Sequence, residues 1–199
     1  MPPRAGAEYG GLVFHPASPR NLALEQAHAL SEAMRSKLRR VALVADRSDA
    51  DLTAIIAAAQ PEFLQLHGAE SVARTAEIRA RFGLPVIKAL SVADAEDLKA
   101  ANDYAPVADM LLFDAKPPKG AARSGGHGIA FDWPLLKGRN FSKPWFLAGG
   151  LDPDNVARAV AQSGAQMVDV SSGVESAPGV KSAERIAQFV SVLRQPVQA

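Results

Sequence analysis

Seven short apolar runs, each followed by a stretch with helix-like hydrophobic spacing, set the strongest limit on how this chain can fold. The runs cover residues 11–14, 40–45, 63–66, 85–90, 109–114, 145–148 and 167–170. They are apolar at successive positions rather than alternating ones, the pattern of parallel strands buried on both faces. Between them, Ala23, Ala27, Leu30 and Met34 form one helical stripe, and Leu52, Ile55, Ile56 and Ala59 another. Ile186, Phe189, Val190 and Leu193 repeat the spacing near the C-terminus, and Asp152-Pro153 predicts an N-cap followed by a proline at the first helical position. Each strand-plus-helix unit takes roughly 20–30 residues, the scale of a βα unit. Such alternation permits a doubly wound sheet or a (β/α)₈ barrel. No Gly-x-Gly-x-x-Gly follows the first run, which argues against a dinucleotide fold. The glycines gather instead after the last two runs, where barrels commonly bind phosphate. The barrel is favoured, one strand short of eight, as a single domain over residues 1–199.

Composition narrows the function. A net charge of +1 with no basic block disfavours nucleic acid and membrane surfaces as partners. The 199 residues include no cysteine, so this chain has no disulfide, thiolate metal ligand or cysteine nucleophile. No apolar run approaches the length of a membrane span and no signal-peptide core is recognisable, so the expected compartment is the cytoplasm.

Several stretches have the right residues for chemistry. In Leu147-Ala148-Gly149-Gly150-Leu151-Asp152-Pro153 a strand runs into two glycines and a helix start. In Asp169-Val170-Ser171-Ser172-Gly173-Val174-Glu175 a strand again ends in small donors. Glycine lets backbone N–H groups approach an anion closely. Either stretch alone is equally an ordinary turn, but on adjacent barrel strands Gly149, Gly150, Ser171, Ser172 and Gly173 could grip one phosphate. Leu111-Leu112-Phe113-Asp114-Ala115-Lys116 ends an apolar run in a carboxylate. Asp114 is a candidate general acid there, or a residue salt-bridged to Lys116. Arg20 closes the proline-stiffened loop Phe14-His15-Pro16-Ala17-Ser18-Pro19-Arg20 and could fork onto a carboxylate or phosphate. His67 ends the third run and is a candidate substrate contact, or else a structural or helix-capping group. Lys88, inside the fourth, requires a carboxylate partner, for which Asp114 and Asp169 are the candidates.

In this order, these stretches resemble the phosphoribosylanthranilate isomerase family. The resemblance runs from Gly11-Leu12-Val13-Phe14 with Ser18-Pro19-Arg20, through Gln65-Leu66-His67-Gly68, Val86-Ile87-Lys88-Ala89, Asp114-Ala115-Lys116 and Phe131-Asp132-Trp133. It ends at Leu147-Ala148-Gly149-Gly150-Leu151 with Asn155, Asp169 to Glu175, and Pro178-Gly179-Val180-Lys181. It implies a TIM-barrel enzyme of tryptophan biosynthesis that performs an Amadori rearrangement, turning an aminoaldose phosphosugar into an aminoketose without metal or cofactor. It implies Asp114 as the general acid, Arg20 facing the anthranilate carboxylate, Asp169 at the substrate, and the two turns on its phosphate. The family's general base is a cysteine in a Lys-Ile/Val-Cys-Gly stretch on its first strand, and that stretch has no counterpart here. Ala5-Gly6-Ala7 matches the end of the family's first helix, so the resemblance implies an N-terminally truncated barrel with about seven of eight strands. Its two uncovered edges, 11–14 and 167–170, would favour self-association. His127, in Gly125-Gly126-His127-Gly128, replaces a hydroxyl residue common in the family. Two alternatives stay open: an aminoaldose–aminoketose isomerase of the histidine-pathway type, whose base is an aspartate on the first strand, and a non-catalytic phosphate-binding remnant.

Overall fold

A computed structural model describes residues 6–116 and 131–194. All seven apolar runs are strands: β1 (Tyr9–Phe14), β2 (Arg39–Val44), β3 (Phe63–Leu66), β4 (Val86–Val92), β5 (Met110–Ala115), β6 (Trp145–Leu147) and β7 (Met167–Val168). They pair in chain order, every neighbouring pair parallel, in one seven-stranded sheet. The helices between and after them are α1 (Leu24–Met34), α2 (Asp49–Ala59), α3 (Val72–Phe82), α4 (Ala100–Tyr104), α5 (Val156–Ser163) and α6 (Ala183–Arg194). A short antiparallel hairpin, β8 (Glu175–Ala177) and β9 (Val180–Lys181), sits between β7 and α6. The sequence reading did not anticipate it. The long loop after Ala115 and the Gly125–Gly128 stretch with His127 fall largely outside the described residues.

Period-two alternation sorts the strand residues into two layers. Val41, Ile87, Ala89, Met110, Leu112, Phe146 and Ala148 face inward and form the inner cluster. Leu12, Phe14, Val44, Leu64, Leu66, Val86, Leu111, Phe113 and Leu147 face outward and pack under the helices. The sheet curls far enough that Tyr9 on β1 meets Phe146 on β6 edge-on, ring centroids 5.4 Å apart. Among the described residues, β1 and β7 form no ladder with each other.

Helix starts follow local chemistry. Ser48 caps α2 by accepting from Asp51 N–H, and Ser71 caps α3 by accepting from Arg74 N–H. Three expectations are corrected. Leu30 is 44% exposed, because α1 buries Ala27 and Ser31 instead, with the Ser31 hydroxyl donating to the Ala59 carbonyl at the end of α2. Leu193 is likewise exposed, and α6 buries Phe189. Asp152 does not cap a helix starting at Pro153. Its carboxylate accepts from the N–H groups of Asp154 and Asn155 in a turn, and α5 begins at Val156.

Candidate active site

At the carboxyl ends of the strands one cavity is lined by Val13, His15, Arg20, His67, Asp114, Gly149, Gly150, Asp169, Ser171 and Ser172, among others. The location is where barrel enzymes carry their chemistry. Asp114 reaches it because Met110, Leu112 and Asp114 alternate inward along β5. The carboxylate is nearly buried, at 6% residue exposure, and its Oδ1 accepts from the Ala115 N–H at 2.9 Å. Its Oδ2 lies 3.1 Å from His67 Nε2. Gln65 Nε2 lies 3.0 Å from His67 Nδ1. With the Gln65 amide donating to Nδ1, the ring proton sits on Nε2 and is donated to Asp114. His67 therefore spends both nitrogens inside the protein. Lys116 does not pair with Asp114; its ammonium lies 2.9 Å from Asp97 Oδ1.

Asp169 stands two strands from Asp114, with Ala148 between them. The ladder continues to this level through Ala148 N–H donating to Phe113 O and Asp169 N–H donating to Leu147 O, both at 2.8 Å. Asp169 is exposed to solvent at the mouth of the cavity. Partial loss of hydration raises its pKa, and repulsion from Asp114 adds to this, while His67 and Lys181 oppose it.

The two glycine-bearing turns do come together. Gly149 (φ +87°) and Gly150 (φ +64°) turn the chain sharply after β6 in a conformation that L side chains rarely adopt. A Cβ on Gly149 would stand 2.5 Å from the Ala115 nitrogen and 3.0 Å from Asp114 Oδ1, so this turn is pressed against the end of β5 and the Asp114 carboxylate. A Cβ on Gly173 would stand 1.9 Å from the Leu151 carbonyl oxygen, so the turn after β7 is pressed against the turn after β6. Asn155 pins the first turn, donating to Gly150 O at 2.8 Å and accepting from Asp152 N–H at 3.0 Å. Among the described residues, the backbone N–H groups of Gly149, Gly150, Ser171, Ser172 and Gly173 donate to no protein acceptor. Unspent donors on two touching turns suit an anion.

Arg20 lines the same cavity and is forked onto Glu175, with Nε to Oε1 and Nη2 to Oε2 both at 2.7 Å. Lys181 donates to Glu175 at 2.8 Å and also to the carbonyl and hydroxyl of Ser171. Burial would raise the Glu175 pKa, but the Arg20 and Lys181 contacts and the Gly179 N–H outweigh it and hold the group at about 2. Glu175, Lys181, Gln65 and Asn155 all lay within the quoted motifs, yet the sequence reading gave them no role. An unmatched arginine and a glutamate in two site stretches were the available signal.

Lys88 is the clear correction. It sits between inward-facing Ile87 and Ala89, so it points outward and cannot reach Asp114 or Asp169 inside the barrel. Its ammonium is bound by Glu70 at 2.8 Å and by the carbonyls of Gly68 and Leu66, with both side chains 2% exposed. Among the described residues, no group of three or more His, Cys, Asp or Glu is placed to hold a metal ion, and no helix is long and apolar enough to cross a membrane.

The family model for N-(5'-phosphoribosyl)anthranilate isomerase matches residues 3–192. The chain belongs to this family. It is 55% identical over 190 residues to the N-(5'-phosphoribosyl)anthranilate isomerase of Cereibacter sphaeroides, covering 96% of this chain and 90% of that one. It is 52% identical over 189 residues to that of Paramagnetospirillum magneticum, covering 95% and 88%. Among solved structures it is similar to the phosphoribosylanthranilate isomerase of Thermotoga maritima, with a TM-score of 0.84 at 33% identity over 95% of this chain and 89% of that one. A further structure of a phosphoribosylanthranilate isomerase, in complex with reduced 1-(o-carboxyphenylamino)-1-deoxyribulose 5-phosphate, aligns with a TM-score of 0.80 at 31% identity, covering 94% and 88%. The seven-stranded parallel sheet is thus the curled sheet of a TIM-barrel-type isomerase.

Proposed function

We propose that this chain carries the substrate site of a phosphoribosylanthranilate isomerase, acting in tryptophan biosynthesis on N-(5-phosphoribosyl)anthranilate. The observation that supports it best is convergence: a nearly buried carboxylate, a forked arginine, a second carboxylate and two donor-rich turns meet in one cavity. The substrate has matching parts, namely a ring oxygen to protonate, a carboxylate and a phosphate. Asp114 delivers the proton to the furanose ring oxygen. The C1′–O bond breaks and the substrate's own nitrogen takes the positive charge as an iminium. Loss of the C2′ proton to a base gives the enolamine, which relaxes to the aminoketose. Arg20 faces the anthranilate carboxylate, Asp169 contacts the reacting end, and the N–H groups of Gly149, Gly150, Ser172 and Gly173 hold the phosphate. The reaction is internally redox-neutral, so the substrate nitrogen does the work that a cofactor would do elsewhere.

The C2′ base is the unfilled role. The sequence contains no cysteine. His67, the imidazole in the same cavity, has both ring nitrogens engaged, by Gln65 and Asp114. A missing acid–base group costs about 10²–10⁴-fold. The purified chain is expected to show at most trace isomerase activity, followed as loss of substrate fluorescence. Fusing an N-terminal βα segment that contains Lys-Ile-Cys-Gly should restore turnover, and Asp114→Asn should abolish the restored activity. If the 199-residue chain alone matches a full-length relative in kcat/KM, another group is the base and this assignment is wrong.

A further inference from the structure

We propose that Glu175 is a positioning residue that sets the orientation of Arg20 and thereby selects where on the substrate's aromatic ring a carboxylate is accepted. The proposal rests on the reading of Arg20 above and deepens it.

A guanidinium offers two edges that can fork onto a carboxylate, one through Nε and Nη2, the other through Nη1 and Nη2. In this structure the Nε/Nη2 edge is spent on Glu175, with both contacts at 2.7 Å and the two side chains 12% and 5% exposed. What the cavity receives is the remaining end, in a plane that Glu175 dictates. A free arginine would have to give up its rotamer freedom in any such contact. Here the Glu175 fork has already removed it.

The clamp is itself anchored. Arg20 N–H donates to Ser18 Oγ, and Ser18 N–H donates to His15 O, so the loop after β1 is folded onto itself. On the other side, Lys181 Nζ and Gly179 N–H both reach the Glu175 carboxylate, and Lys181 continues to Ser171 in the phosphate turn. Glu175 and Arg20 are 155 residues apart in sequence. The pair joins the loop after β1 to β8 beyond β7, and fixes an element at one end strand relative to the turn at the other. A buried ion pair contributes little net stability against its desolvation cost. Its value here lies in direction.

The test uses the full chain and two ligands equal in charge. One is the reduced 2-carboxyphenylamino deoxyribulose 5-phosphate; the other is its 3-carboxyphenylamino isomer. Dissociation constants are measured by titration calorimetry for the parent, Glu175→Gln and Arg20→Lys. Equal charge matters, because removing Glu175 makes the site more positive and strengthens both ligands alike; the ratio cancels that field. The parent should prefer the 2-carboxy ligand by at least about tenfold, and both variants should fall to about threefold or less. A Glu175→Gln ratio equal to that of the parent, with both affinities moved together, would mean that the residue only supports the fold, and overturns the proposal. A parent that binds both ligands without preference overturns the Arg20 assignment and the positioning role with it. A parent that binds neither ligand overturns the proposed function itself.

Discussion

Gly173→Ala is the sharpest perturbation this fold offers, because the added methyl has nowhere to go. Its Cβ would lie 1.9 Å from the Leu151 carbonyl oxygen, 2.8 Å from that carbonyl carbon and 2.9 Å from Asp152 Cα, all backbone atoms. To reach ordinary contact near 3.4 Å the oxygen must retreat by about 1.5 Å. The turn that holds it cannot give freely: Asn155 ties both Gly150 O and Asp152 N–H, and Asp152 Oδ1 takes two further N–H groups. Overpacking of this kind costs about 1–3 kcal/mol, and rigid backbone on the far side places the change at the upper end, about 3 kcal/mol. On the proposed phosphate grip by both turns, inorganic phosphate should also bind at least tenfold more weakly. Urea denaturation gives the stability change and calorimetric titration the affinity. Gly138→Ala is the control. Gly138 has φ +73° with nothing within 4 Å of its added Cβ, so it should lose only the left-handed penalty, about 1–2 kcal/mol, and keep its phosphate affinity. If Gly173→Ala binds phosphate within twofold of the parent and loses less than about 1 kcal/mol, the two turns do not brace one another and the phosphate site is misplaced.

Three further outcomes follow from the same geometry. Lys88→Met leaves the Glu70 carboxylate charged and buried without its ammonium, which should cost about 3–5 kcal/mol in a urea melt; a loss below about 1 kcal/mol would show that the Asp46 and Gly68 N–H groups satisfy Glu70 unaided. The Glu175 carboxyl titrates at about 2 when folded, against an ordinary value of 4.5. A depressed folded value contributes stability that is complete above the unfolded pKa and lost as pH falls toward the folded one, so the parent should lose this contribution between about pH 4.5 and 2. Glu175→Gln should show a shallower acid limb, and parallel stability–pH curves for the two proteins would contradict the ion-pair account. Finally, since β1 and β7 form no ladder among the described residues, the purified 199-residue chain should associate above monomer mass in multi-angle light scattering, whereas a monodisperse monomer with a high thermal midpoint would show that these strand flanks are covered.

The sequence by itself determined the strands, their order and the strand ends at which the candidate site residues gather. Parallel strands buried on both faces must be apolar throughout, so residues 63–66 and 109–114 were visible as runs, and a polar residue at the end of such a run, His67 or Asp114, could only lie at its carboxyl rim. The glycine turns were legible for a similar reason: positive φ combined with close backbone approach, as at Gly149, favours glycine over any residue with a Cβ. Pairing was not legible. Lys88 goes to Glu70 because Ile87 and Ala89 take the inner face, and no local pattern says which of several carboxylates a loop will deliver to the outer one. Lys116 goes to Asp97, and Arg20 in the loop after β1 goes to Glu175 in β8, partners set by the curvature of the sheet and the β8–β9 hairpin. His67 had a ring and a place in the sequence, but its commitment to Gln65 and Asp114 is a matter of distance across β3 and β5. Face and periodicity are short-range properties that each residue carries along the chain. Which charge meets which depends on the closing of the whole sheet, and only the tertiary structure decides it.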